Sequence, residues 1–200
     1  MKKHDIIHSL SNYEIALDKD FKFLFFTHNK NAQTSINRHL FKDRVCVKKD
    51  DNALWENLKK QYESNIDSLS PITFTIIRHP FERFCSAFSY LKKINQIDKS
   101  VDINEWTERV FSVYGPKFDP HFTEQEKYHR PIHEMGFDYI LTTHRLNSEW
   151  TQVAQQINAS SEVPMENRTK KVQLSLNAKK IVYDTYYNDF NLLNFKFNEV

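Results

Sequence analysis

Two short polar segments hold residue types that bind anions. The first is His28-Asn29-Lys30-Asn31-Ala32-Gln33-Thr34-Ser35. Lys30 brings a mobile positive charge, and Thr34 and Ser35 bring hydroxyl donors. The segment opens onto Ile36, Leu40 and Phe41, which have helical spacing. The first backbone N–H groups of a helix have no partner inside it, so they point outward and favour an anion. Asn31, Ala32 and Gln33 add backbone donors in the same loop. The second segment is Arg78-His79-Pro80-Phe81-Glu82-Arg83-Phe84-Cys85-Ser86. Arg83 and Ser86, three apart, share a helix face distinct from the aromatic stripe. Guanidinium forks from Arg78 and Arg83 with a hydroxyl from Ser86 suit a phosphate. Taken alone, each segment also reads as ordinary polar surface, a capped turn or the solvated side of a helix. Together they suit a ligand with two separated anionic groups.

Both segments need elements that place them. Residues 21–27 (Phe-Lys-Phe-Leu-Phe-Phe-Thr) read as a strand buried on both faces, and Ile72-Thr73-Phe74-Thr75-Ile76-Ile77 reads as a second. A helix follows each, the second opened by Pro80 and carrying Phe81, Phe84, Cys85, Phe88 and Leu91 on one face. A helix over 53–66 shows Leu54, Trp55, Leu58 and Tyr62; residues 137–141 are a third strand; helices are expected over 103–114, 146–157 and 175–188. Alternating strands and helices imply a parallel sheet with helices packed on it.

Composition narrows the classes. The chain has 200 residues but two glycines, Gly115 and Gly136, too few and too far apart for a Walker A loop or a GxGxxG turn. Hydrophobic residues make up 40% and aromatics 14%, so the chain is globular, and the length suits one domain over residues 1–200. With 28 basic and 26 acidic residues the net charge is +2, which points to neither nucleic acid nor an anionic membrane. No signal peptide or transmembrane run is expected. Cys46 and Cys85 read as reduced thiols, so the expected location is cytoplasmic. His129 and His133 are four apart, but Pro131 breaks a regular helix between them and no third ligand presents itself, so no metal is expected.

The paired segments resemble the cofactor signature of sulfotransferases that use 3′-phosphoadenosine-5′-phosphosulfate, most closely the carbohydrate (Golgi-type) enzymes and their bacterial relatives. Lys30, Thr34 and Ser35 match the family's P-K-x-x-G-[ST]-[ST] loop for the 5′-phosphosulfate. Arg78, Pro80, Arg83 and Ser86 match its R-x-P-x-x-R-x-x-S unit for the 3′-phosphate. Residues 119–125 are similar to a D-x-H-[WF]-x-P-Q stretch, Asp138-Tyr139-Ile140 with Arg145-Leu146 to a D-Y-I segment, and residues 166–169 to an N-x-[ST] loop; Tyr186, Asp189 and Phe190 are similar to a Y-x-x-D-F motif. Asn29 stands for the family's proline, Gln33 for its small residue and His144 for an expected acid.

The resemblance implies an α/β, P-loop-like three-layer fold with a central parallel sheet flanked by helices. It implies transfer of a sulfuryl group to a hydroxyl acceptor, a carbohydrate foremost, leaving 3′,5′-adenosine bisphosphate, with no metal. Lys30 would meet the charge that grows at the departing 5′-phosphate. His121 is the candidate base that takes the acceptor's proton, with Glu124, Glu126 and His28 as alternatives. Arg168, Lys170 and Lys171 are either a solvated face or a cover for the 3′-phosphate side of the cofactor. Two other readings stay open: a nucleotide-dependent phosphotransferase with a non-standard loop, and a non-catalytic protein that keeps the fold and binds a nucleotide.

Overall fold

The structure, a computed structural model, describes residues 14–27, 29–32, 36, 44–47, 52–127, 136–162 and 172–198. Its strands are β1 (Glu14–Asp18), β2 (Phe23–Thr27), β3 (Val45–Val47), β4 (Ile72–Ile77) and β5 (Tyr139–Thr142). Its main helices are α1 (Asn52–Leu69), α2 (Pro80–Lys93), α3 (Ile103–Trp106), α4 (Leu146–Ile157), α5 (Leu176–Thr185) and α6 (Tyr187–Leu192). The chain forms two compact units, each drawn from two segments: residues 1–77 with 128–166, and residues 78–127 with 167–200.

The first unit is built on a five-stranded sheet in the order β3-β1-β2-β4-β5. The three strands expected from apolar runs are β2, β4 and β5, and they pair in parallel. β1 and β3 are additions, and β1 runs antiparallel to both of its neighbours. The reason lies in the connection: β1 reaches β2 through residues 19–22, and so short a link joins only antiparallel strands. Phe21 turns the corner in left-handed backbone, at φ 59°. The buried Asp18 carboxylate secures the turn, accepting from the Lys22 N–H at 2.9 Å and from Arg44 Nε at 2.8 Å.

Side chains alternate across this sheet with the period of two that a strand imposes. Phe23, Phe25, Phe74, Ile76 and Leu141 pack on one face with Trp150, Val153 and Ile157 of α4. Ile15, Leu17, Leu24 and Phe26 pack on the other with Trp55, Leu58 and Tyr62 of α1. The sheet is therefore the middle of three layers, and β2 is buried on both sides. Asp138 aligns the start of β5 with β4, its carboxylate accepting from the N–H and the hydroxyl of Thr73 at 2.7 and 2.9 Å.

The second unit is helical. Phe81, Phe84, Cys85, Phe88 and Leu91, the expected stripe of α2, enter one core with Trp106, Phe111, Phe122, Val182, Tyr186 and Phe190. The Phe84 ring lies 4.8 Å from Phe111 and 5.4 Å from Phe122. The helix expected over 103–114 forms, with a π turn at Thr107–Phe111 where the Thr107 hydroxyl bonds back to the Ile103 carbonyl. Residues expected as one helix over 175–188 split at Tyr186 into α5 and α6. Among the described residues no helix is long and apolar enough to cross a membrane.

Candidate functional site

In the first unit, β2 and β4 are parallel neighbours, with Phe23 opposite Ile72 and Phe26 opposite Thr75. Their carboxyl ends share one edge, where open α/β sheets bind ligands. The chain leaving β2 turns through Lys30 at φ 69° and Ala32 at φ 61°. Left-handed backbone costs a residue with a β-carbon about 1–2 kcal/mol. Backbone that alternates in hand is the kind that can present N–H groups to an anion, and Lys30 and Ala32 supply left-handed residues on either side of Asn31. Between them Asn31 is 1% exposed and its Nδ2 donates to the Ile76 carbonyl at 3.0 Å. That bond ties the loop after β2 to the end of β4. The Ile36 N–H donates to the Ala32 carbonyl at 3.1 Å.

The next strand end is also braced. The Thr143 N–H donates to the Ile77 carbonyl at 3.0 Å. Glu149 of α4 accepts from the Thr142 N–H at 2.6 Å and from Arg145 Nε at 2.9 Å. A carboxylate thus stands at the end of β5 although position 144 is a histidine, and His144 itself is exposed.

In the second unit, Arg78 is the residue after β4 and precedes the cap of α2. Its guanidinium is partly covered and lies 3.5 Å from Glu82, one helical turn on. Burial lowers its affinity for a proton and the Glu82 charge opposes that; an arginine stays cationic through such shifts. His79 caps α2, its Nδ1 accepting from the Phe81 N–H at 3.3 Å, while its Nε2 lies 3.2 Å from the Lys196 carbonyl. A carbonyl only accepts, so Nε2 carries the proton. Ser86 is 7% exposed on α2.

Arg83 is 2% exposed, and its Nη2 donates to the His121 carbonyl at 3.0 Å. The His121 ring packs at a tilt against Tyr90 with centroids 4.6 Å apart, and its Nδ1 lies 2.6 Å from Asp119 Oδ1. The loop after it is pinned from α6 and the residue before it. The Tyr186 hydroxyl donates to the Phe122 carbonyl at 2.7 Å. Asp189 accepts from the N–H groups of Gln125 and Glu126 at 3.0 and 2.6 Å. Burial pushes the Asp189 carboxyl up to about 6 against the pull of those two bonds. Burial likewise raises the Tyr186 phenol and pushes the Cys85 thiol up to about 12, so both stay neutral at physiological pH.

Of the residues singled out in the sequence, the structure places Lys30, Asn31 and Ala32 in one turn of the first unit. It places Arg78, Arg83, Ser86 and His121 in the second, with Arg83 on the His121 loop. Gln33, Thr34, Ser35, Arg168, Lys170 and Lys171 lie outside the described residues, as do His28, His129 and His133. Trp106 and Phe122 are core, Phe118 packs against them, and Tyr114 is exposed. Glu124 pairs with Lys127 at 2.9 Å. Among the described residues no group of three or more His, Cys, Asp or Glu could hold a metal. Sequence reasoning gave no role to Asp119, Gln125, Tyr186 or Asp189, although all four stand in segments it singled out. The signal for Asp119 is a carboxylate two residues before a histidine; nothing local marks the other three.

The curated proteins and the solved structures compared with the chain give no match. A family model does match, described as the sulfotransferase family and spanning residues 8–196. With strand ends, left-handed loop and capped α2 all inside that span, the chain belongs to the sulfotransferase family.

Proposed function

We propose that the chain transfers a sulfuryl group from 3′-phosphoadenosine-5′-phosphosulfate to a hydroxyl of a carbohydrate. One observation carries the reading: the two anion-binding motifs leave the carboxyl ends of β2 and β4, adjacent parallel strands. The donor set suits the cofactor. The loop after β2 offers a lysine and a left-handed turn, and the segment after β4 offers the Arg78 guanidinium and the Ser86 hydroxyl. When bound, the cofactor supplies the activated sulfuryl group. Lys30, with the backbone donors of its turn, stabilises charge at the 5′-phosphate. Arg78 and Ser86 hold the 3′-phosphate. His121 takes the acceptor's proton at Nε2, because Asp119 holds its Nδ1–H. The carbohydrate acceptor is supported by the likeness of residues 78–86 and 119–125 to carbohydrate sulfotransferase motifs. A reducing compartment is supported by the free, buried thiol of Cys85.

Thermal unfolding with ligands tests the cofactor. We expect 3′,5′-adenosine bisphosphate to raise the melting temperature and ATP with Mg²⁺ to leave it unchanged. Stabilisation by ATP with Mg²⁺ alone would make the chain a phosphotransferase instead, and no response to either would make it non-catalytic. Labelled sulfate transfer to a panel of glycans and simple phenols tests the acceptor, with label expected on glycans.

A further inference from the structure

We infer that Gln125 is a positioning residue for Arg78, and that Asp189 holds Gln125 in place. The inference rests on the proposed role of Arg78 as a cofactor ligand. Gln125 is fully buried, and both ends of its side-chain amide go to the backbone of one residue. Its Oε1 accepts from the Arg78 N–H at 3.0 Å and its Nε2 donates to the Arg78 carbonyl at 2.8 Å. A residue of an antiparallel neighbour makes the same pair of bonds inside a ladder, through its own N–H and C=O. Arg78 is the first residue beyond β4. The amide therefore extends strand-like pairing by one residue, to the point where the guanidinium departs.

Gln125 is itself fixed from α6. Asp189, 0% exposed, takes the N–H groups of Gln125 and of Glu126 on its two carboxylate oxygens. Phe190, the next residue, packs edge-on against the His79 ring at 5.4 Å and the Phe81 ring at 5.1 Å. His79 follows Arg78 in the chain, so α6 packs directly on the segment after the arginine and reaches the arginine itself through Gln125. Two sites far apart in sequence, at 125 and 189, thus converge on the backbone of residue 78. The consequence is directional. A long side chain amplifies any rotation of its own backbone, and a misplacement of about 1 Å can cost a positioned group about a hundredfold. Gln125 touches no substrate in this scheme; it acts through the direction in which Arg78 points.

Calorimetric titration with 3′,5′-adenosine bisphosphate tests this on the full chain. Gln125→Leu removes both bonds to Arg78, and its affinity is expected to fall about tenfold or more. Asp189→Asn should weaken binding in the same sense. The double variant should bind no more weakly than Gln125→Leu alone, because both changes cut one path. A general loss of stability would lower the melting temperature but would not produce that non-additive pattern in affinity. Should Gln125→Leu fail to fold, Gln125→Glu keeps the acceptor for the Arg78 N–H, loses only the donor, and is still expected to bind more weakly. Parent-like affinity in the Gln125 variant, or additive losses in the double variant, overturns the inference. If Arg78→Ala loses affinity while the Gln125 variant does not, the cofactor reading stands and the positioning role falls. If the parent binds no bisphosphate, both fall.

Discussion

Asp119 holds His121 twice: its Oδ1 accepts from the His121 N–H at 2.8 Å and lies 2.6 Å from the ring Nδ1. A carboxylate can only accept there, so Nδ1 carries the proton and Nε2 presents a lone pair. The carbonyl of the same residue is held by Arg83 and its ring by Tyr90. The histidine is thus restrained at backbone, ring plane and tautomer. Asp119→Asn is expected to lower the transfer rate by roughly a hundredfold, the lower range for a general base, while bisphosphate affinity holds. His121→Ala should cost as much, and the two changes together no more, since the pair acts as one unit. Rates at saturating donor check this; a full-rate Asp119→Asn variant would remove the dyad from the mechanism.

Lys30 sits at φ 69° in a turn whose shape comes from backbone rather than from glycine. Lys30→Ala is expected to retain bisphosphate binding and to lose transfer by roughly 10²–10³-fold, the scale for removing one charge-stabilising donor. Binding and single-turnover transfer, measured on the same preparation, separate the two effects.

Arg78 is held at its backbone by Gln125 and beside Glu82 at its guanidinium. Arg78→Lys keeps a charge but loses the planar fork, so it should weaken bisphosphate binding nearly as much as Arg78→Ala, by about tenfold or more. Titration calorimetry reads this directly. Affinity equal to the parent's in Arg78→Lys would mean that charge alone, without the fork, suffices.

Asn31 links the loop after β2 to the Ile76 carbonyl in a buried bond. Asn31→Leu removes the donor and leaves that carbonyl short of a partner, which costs about 1–3 kcal/mol. Chemical denaturation should show this as a lower midpoint with an unchanged slope. The same change loosens the turn that carries Lys30, so transfer should fall along with stability.

Asp189 makes a prediction about pH. Burial raises its carboxyl to about 6, above the unfolded value near 3.9. The folded state therefore keeps this proton longer than the unfolded chain. Its contribution to stability is fully present below about pH 4 and is lost as pH rises from there through about 6. Arg83 works against the rise, as do the N–H groups of Gln125 and Glu126, and the Glu124 charge works with it. Asp189→Asn lacks the titration. The stability of the parent minus that of the variant should fall between about pH 4 and 6 and level off above, read by denaturation at fixed ionic strength; a flat difference would refute it.

The parallel strands, the aromatic stripe of α2 and the helix at Leu146–Ile157 were legible because each is a local pattern. β1 and β3 were not: Glu14–Asp18 sets three apolar residues between two charged ones, Val45–Val47 is three residues long, and both exist through their pairing. The buried state of Arg83 was equally hidden. A guanidinium ordinarily seeks water, and its burial depends on acceptors such as the His121 carbonyl, placed beside it 38 residues on. The sequence by itself determined which groups could meet an anion and which strand ends would present them, because residue type and local period are carried by neighbours in the chain. Tertiary structure alone decided which polar groups satisfy one another. The bonds from Gln125 to Arg78 span 47 residues and that from Asp189 to Gln125 spans 64, separations over which no local pattern acts and only the demand that buried polar groups be paired selects the partner.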